Sequence, residues 1–287
     1  MEANKNQQII PICSTFAPNT LNDTLIKMKN LLLIAFTCAV FLPPSALRAQ
    51  RWEQVGNKED WANTIDVVAM GGYLYSIEKD GTLFQTDKQG NYRQLGDKGL
   101  FDNADLLVSL DNEIWTIEDG SLYQTIPSKA VWRQVGKPGD WKDTEGMVGL
   151  NGKLYSIETN GTLYETSKDG TWRRIGNDGE FTHAVMLEAM DDHLWTVEKG
   201  TLYKSNIRTM RWEQVGNVGD WENTIAMVAD GGFLWSVETD GTLFKTDKYG
   251  KYEQVGEKGL LSAVTHIVAM NNTLYVVENG TLYRTKG

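Results

Sequence analysis

RWEQVG at residues 51–56 returns as NYRQLG at 91–96, VWRQVG at 131–136, TWRRIG at 171–176, RWEQVG at 211–216 and KYEQVG at 251–256. The spacing is 40 residues throughout, in six copies. Each copy carries a second motif: LYSIEKDGTLFQT from residue 74, IWTIEDGSLYQT from 114, LYSIETNGTLYET from 154, LWTVEKGTLYKS from 194, LWSVETDGTLFKT from 234 and LYVVENGTLYRT from 274. A β-branched or aromatic run, a Gly-containing turn and another such run spell a hairpin. The pairs Asp80-Gly81, Asn160-Gly161 and Asp240-Gly241 suit type I′ turns, which need positive φ at both central residues.

The first unit reads as four strands, about Thr64–Met70, Tyr73–Lys79, Thr82–Thr86 and Asn91–Gly96, with turns at Gly71-Gly72, Asp80-Gly81 and Lys88–Gly90. Four short strands per roughly 40 residues is the arithmetic of a propeller blade. The repeat opens on a lone outer strand, RWEQVG, and stops after a third strand, TLYRT. The first segment is therefore expected to complete the last blade, pairing residues 51–56 beside 281–285 and leaving no open edge. The expected fold is an all-β, six-bladed propeller.

A longer period lies over the shorter one. The units near 51, 131 and 211 carry NKEDWANT, KPGDWKDT and NVGDWENT, where their neighbours carry DKGLFDNA, NDGEFTHA and EKGLLSAV. The hairpins of the second set are one residue shorter. The repeating unit is thus 80 residues, three times over, and predicts pseudo-threefold alternation of blade pairs.

Ahead of the repeats, Lys27 and Lys29 precede an apolar stretch from Leu31 to Leu42, followed by a Pro pair and small residues up to Ala49. That pattern reads as a secretory signal over 28–49, too short for a membrane span. Residues 1–27 read as a non-native upstream extension, and 50–287 as the propeller domain. Both cysteines, Cys13 and Cys38, fall before residue 50, so the domain has no disulfide to rely on. It holds 24 basic against 36 acidic residues and every Trp and Tyr of the chain. Such a balance argues against nucleic acid, whose binding rests on basic patches. After signal cleavage the expected location is secreted, periplasmic or cell-surface, with no mature transmembrane segment.

The order of an aromatic-x-x-[VIL]-Gly strand, a Gly-and-Trp loop and L-[YW]-x-[VI]-x-x-x-Gly-x-L-[YF] resembles tectonin and tachylectin-type β-propeller lectins, across residues 51–287. The resemblance implies carbohydrate binding at sites between adjacent blades. Tectonin-type repeats also serve as protein-interaction platforms, which is the alternative reading. The chain departs from the pattern in its Glu in every repeat and its alternating loops.

The residues divide by how often they recur. Glu78, Glu118, Glu158, Glu198, Glu238 and Glu278 occur in all six units and are read as structural, carboxylates that accept loop N–H groups. One Glu per blade does not make a calcium site, which wants six to eight oxygens. The alternating loops are more telling: Trp61 with Asp60 and Asn63, Trp141 with Asp140 and Asp143, and Trp221 with Asp220 and Asn223. An indole beside acids and amides suits a sugar, whose C–H face stacks while its hydroxyls hydrogen-bond. The competing reading is that these tryptophans plug the gaps between blades. His183, His193 and His266 share no repeat position, and no nucleophile elbow, zinc spacing or phosphate loop occurs. The expectation is a secreted, multivalent, lectin-like propeller that binds glycans or glycoconjugates, or a protein partner, with no catalytic residues, metal or cofactor.

Overall fold

The computed structural model describes residues 52–127 and 131–285. The expected signal and upstream segments, residues 1–49, lie outside the described residues. The described chain forms six four-stranded antiparallel sheets arranged as the blades of a propeller. Blade 1 runs Thr64–Met70, Tyr73–Glu78, Leu83–Thr86 and Tyr92–Leu95, from the inner strand to the outer one. Blades 2 to 5 repeat it over 104–135, 144–175, 184–215 and 224–255. The expected first-unit strands agree to within a residue at each end.

Blade 6 closes the ring. Val264–Met270, Thr273–Glu278 and Thr281–Thr285 are joined by Trp52–Val55 from the start of the domain. The register sets Trp52 opposite Thr285 and Val55 opposite Leu282. Arg284 faces Glu53 across this junction, with Nη2 2.7 Å from Oε1. The seam is therefore paired along the strand and neutral in charge.

The core lies between blades rather than within one sheet. The second strand of each blade is covered on both faces, so it reads as a nearly unbroken buried run instead of an alternating one. In blade 1, Leu74 packs towards blade 6 with Val268, Met270 and Tyr275, whereas Tyr75 and Ile77 pack towards blade 2 with Leu107 and Ile114. The inner strands of all six blades line an axial channel of about 490 Å³.

One feature of the hairpins corrects the sequence reading. Type I′ turns occur in blades 2, 4 and 6, where Asp119 and Gly120, Lys199 and Gly200, and Asn279 and Gly280 all have positive φ. In the Glu78–Thr82 hairpin of blade 1 only Gly81 (φ 74°) is positive, and Gly81 N–H donates to Glu78 O while Glu78 N–H donates to Thr82 O. That is a three-residue loop, a type I turn ending in a left-handed glycine. The extra residue relieves Asp80, Asn160 and Asp240 of the strained conformation.

The same hairpin glycine serves a second purpose in every blade. Its carbonyl accepts the backbone N–H of the residue at the centre of the next crossover loop. The pairs are Gly81 with Phe101, Gly120 with Trp141, Gly161 with Phe181, Gly200 with Trp221, Gly241 with Leu261 and Gly280 with Trp61, at 2.9–3.0 Å. These six bonds fix each loop over the gap between two blades.

Candidate functional site

What occupies the gap alternates around the ring. Three interfaces (blades 6 and 1, 2 and 3, 4 and 5) receive Trp61, Trp141 and Trp221 from the crossover loop. These rings are 8%, 3% and 3% exposed and pack with the interblade core. Trp221 folds back over its own loop so tightly that a Cβ on Gly216 would stand 2.5 Å from its Cη2. The outer-strand aromatics at these interfaces, Tyr92, Trp172 and Tyr252, are then left 56%, 47% and 45% exposed.

Above each of these tryptophans is a groove. The first, about 470 Å³, is lined by Asp60, Trp61, Asn63, Ser76, Glu78 and Tyr92, among others. The second, about 380 Å³, repeats this in blade 5 with Asp220, Trp221, Asn223, Ser236, Glu238 and Tyr252. Both lie within the range of about 300–1,000 Å³ usual for small-ligand sites. The third, with Asp140, Trp141, Ser156 and Glu158, shrinks to about 80 Å³. The reason is local: Trp172 stands where the others have Tyr, and its Nε1 donates to Asp140 Oδ2 at 2.9 Å. Asp60 and Asp220 instead accept from Asn57 and Asn217 at 2.9 and 3.0 Å and line the wide grooves.

The other three interfaces are filled. Phe101 and Phe181 replace the loop tryptophan, and the outer-strand indole swings in to meet them, with Phe101–Trp132 and Phe181–Trp212 ring centroids 4.3 and 4.5 Å apart. Leu261 and Trp52 share the same role between blades 5 and 6. A second substitution tracks the first. Grooved blades carry Ser76, Ser156 and Ser236 on the second strand, where filled ones carry Thr116, Thr196 and Val276. Thr116 and Thr196 donate to Leu106 O and Met186 O at 2.7 Å.

The expected site residues are thus brought together in part. Asp60, Asn63, Asp140, Asp220 and Asn223 line grooves, each beside its buried tryptophan. Asp143 is not among the lining residues of the third groove. The six glutamates also divide. Glu198 and Glu278 accept the loop amides of His183 and Ala263, at 2.9 and 3.3 Å, whereas Glu78 and Glu238 accept the hydroxyls of Thr64 and Thr224 at 2.8 Å and line grooves. Burial pushes the carboxyls of Glu78, Glu118, Glu158 and Glu238 above the usual range. Because fourth-strand aromatics recur in all six units, the sequence reads Tyr92 and Tyr252 as blade packing, which their exposure corrects, and it passes over the serine and the third-strand Phe84, Tyr164 and Phe244. The signal was the paired alternation of Ser with loop Trp, visible once the six units are aligned on the 80-residue period.

The groove in blade 5 also holds polar groups that want partners. Ser236 Oγ and Thr246 Oγ1 are buried and make no hydrogen bond among the described residues. Each such group left unsatisfied costs about 1–3 kcal/mol.

Titratable groups in the axial channel have a different character. Asp66 accepts the amides of Val67 and of Leu107 in the next blade, both at 2.7 Å. His266 Nε2 lies 2.8 Å from Ile65 O, across from blade 6 to blade 1. Glu188 accepts the amide of Ala229, from blade 4 to blade 5, and burial pushes it up to about 8. These groups act as cross-blade staples. Among the described residues no group of three or more His, Cys, Asp or Glu is placed to hold a metal ion, and no helix is long and apolar enough to cross a membrane.

No family model matches the chain. No curated protein matches it either. Solved structures do: a streptogramin B lyase at TM-score 0.61 and 12% identity, over 82% of this chain and 97% of that one. A Bacteroides thetaiotaomicron protein of unknown function superposes at 0.64 and 10% identity, over 83% and 76%. An auxiliary nutrient binding protein from the same organism superposes at 0.59 and 9% identity, over 79% and 69%. One neighbour is an enzyme and another a binding protein, and at such identities the likeness extends to the architecture alone. The chain is a six-bladed β-propeller.

Proposed function

We propose that the protein is an exported, multivalent carbohydrate-binding propeller of the tectonin and tachylectin type, acting without catalysis. The observation that supports this most directly is the threefold set of interblade grooves, each combining an aromatic wall with acids, an amide or hydroxyls. A sugar stacks an apolar C–H face on an aromatic ring and presents hydroxyls that both donate and accept. The stacking surface in this reading is the exposed Tyr92 and Tyr252, with the buried tryptophans as the floor. Two grooves are wide and one is narrowed by Trp172, so two stronger sites and one weaker are expected. Single sites near millimolar affinity correspond to only about −4 kcal/mol. Several on one ring raise the apparent affinity for a dense glycan surface by roughly 10²–10⁴.

A glycan array followed by calorimetry tests the reading. Tyr92→Ala with Tyr252→Ala is expected to weaken binding at least tenfold while the folded β spectrum persists. Silence on the array, or undiminished binding by the double variant, would overturn it.

A further inference from the structure

We infer that the grooves select sugars bearing a protonated amine, such as oligomers of 2-amino-2-deoxyhexose, over N-acylated, neutral or acidic sugars. This rests on the carbohydrate reading above and names its ligand class. The first argument is uncompensated charge. The wide grooves are lined by Asp60, Glu78 and Asp80 in blade 1, and by Asp220, Glu238 and Asp240 in blade 5. The outer aspartates already have cations, Lys98 Nζ at 3.3 Å from Asp80 and Lys258 Nζ at 3.1 Å from Asp240. The inner carboxylates have neutral donors instead: Asn57 and Asn217 for Asp60 and Asp220, Thr64 and Thr224 for Glu78 and Glu238. In blade 5 the two inner carboxylates, Asp220 and Glu238, therefore line the groove without an ion pair among the described residues, whereas in blade 1 Lys79 also lines the groove and offsets part of the charge on Glu78.

The second argument is the aromatic wall. Tyr92 packs edge-on against Phe84, and Tyr252 against Phe244, with centroids 5.6 and 5.7 Å apart. Ring faces carry the negative side of the quadrupole and attract an ammonium group, adding to the carboxylates. Desolvation of Glu78 and Glu238, which raises both carboxyls, is the cost that a ligand cation would reverse.

The third argument separates a sugar from a bare cation. Ser236 and Thr246 are buried beside the same groove with hydroxyls that have no partner among the described residues. An ammonium can donate to their oxygens but gives their O–H groups nothing to donate to, whereas a sugar hydroxyl does both. An amino sugar brings the cation and the ring of hydroxyl oxygens together. The formal charge of −10 adds an attractive long-range field for a cationic glycan and a repulsive one for an acidic glycan.

Isothermal titration of the protein with four probes tests the inference: a β-1,4-linked glucosamine trimer, its N-acetylated counterpart, a galacturonic acid trimer and trilysine. The glucosamine trimer is expected to bind at least tenfold more tightly than the N-acetylated one, and to weaken as salt is raised from 0.05 to 0.5 M. The galacturonic acid trimer is expected not to bind. The double variant Glu78→Gln, Glu238→Gln, in which the amide oxygen can still accept from Thr64 and Thr224, is expected to lose the amine preference while circular dichroism stays unchanged. Equal or tighter binding of the N-acetylated trimer overturns the amine selectivity and leaves the carbohydrate reading standing. Trilysine binding as tightly as the glucosamine trimer overturns the sugar class. If no sugar of any charge binds, the carbohydrate reading fails and this inference with it. Should the variant fail to fold, the probe series and its salt dependence on the unaltered protein decide.

Discussion

The interface between blades 6 and 1 and that between blades 1 and 2 share one design and have opposite outcomes. Both are clasped by a hairpin glycine carbonyl, Gly280 to Trp61 and Gly81 to Phe101, at 2.9 and 3.0 Å. Both hold two aromatics, one from the crossover loop and one from the outer strand. In the first the larger ring comes from the loop, Trp61, and the strand supplies Tyr92, which stays outside. In the second the loop gives Phe101 and the strand gives Trp132, which moves in to fill the space. Apolar bulk is nearly conserved between the two, so stability places little constraint on the choice. What changes is which side of the interface is left hollow. A groove can therefore be opened in such a ring without thinning its core.

The contrast breaks most visibly if the loop tryptophan is removed. Trp141→Ala deletes a ring that is 3% exposed and surrounded by Val108, Leu110 and Leu154, and is expected to cost about 3–5 kcal/mol. Trp172→Ala, half-exposed at the same interface, is expected to cost about 1 kcal/mol or less and to widen the third groove by freeing Asp140. Urea unfolding of both variants measures the difference. Equal losses would mean that the two aromatics share the packing rather than divide the roles.

The channel sharpens the comparison, because the threefold pattern stops there. Asp66, Glu188 and His266 interrupt it, each stapling one interface only. Glu188 is pushed from 4.5 up to about 8 by burial; the Ala229 amide pulls it back in part and the Asp66 charge raises it further. Below about 4.5 both folded and unfolded chains hold this proton. Between 4.5 and about 8 only the folded chain does, so stability falls as pH rises through that window and the loss is complete above it. With channel water screening the side chain, the loss is about 1–3 kcal/mol. Glu188→Gln keeps an acceptor for Ala229 and is expected to flatten the decline between pH 4.5 and about 8 in denaturant titrations. An unchanged slope would assign the pH dependence to other carboxyls, such as Asp66, which burial also raises.

Much of this was legible in the sequence, and the remainder has a physical reason. Forty-residue spacing and the split last blade give the strand order and the pairing of residues 51–56 beside 281–285, while the register that sets Val55 opposite Leu282 is seen only in the structure. The alternation of Trp61 with Phe101 marks the interfaces that carry grooves. It does not say which aromatic is buried, since that depends on the facing strand one blade away. Ser76 was passed over because a serine in a strand looks unremarkable until Thr116 is set beside it. The type I′ assignment to Asp80-Gly81 failed for a related reason. Dipeptide chemistry was read without loop length, and one added residue changes the turn.

The smallest change bears on the comparison most directly. Ser236 and Thr116 hold the same register position in a grooved and a filled blade, and differ by one methyl group. Thr116 donates to Leu106 O at 2.7 Å, whereas Ser236 Oγ is buried without a partner among the described residues. Ala226 occupies in blade 5 the place of Leu106 in blade 2. Ser236→Thr is therefore expected to point its hydroxyl at Ala226 O and its methyl into the groove. The gained hydrogen bond contributes about 0.5–1 kcal/mol, so the variant is expected to unfold at slightly higher urea. Its groove is expected to lose ligand, lowering stoichiometry by one wide site. The reciprocal variant, Thr116→Ser with Phe101→Trp and Trp132→Tyr, is expected to add a site between blades 1 and 2 at little cost in stability. If Ser236→Thr gains stability yet binds as before, the methyl does not gate the groove. The exchange of indole between loop and strand then determines the opening alone.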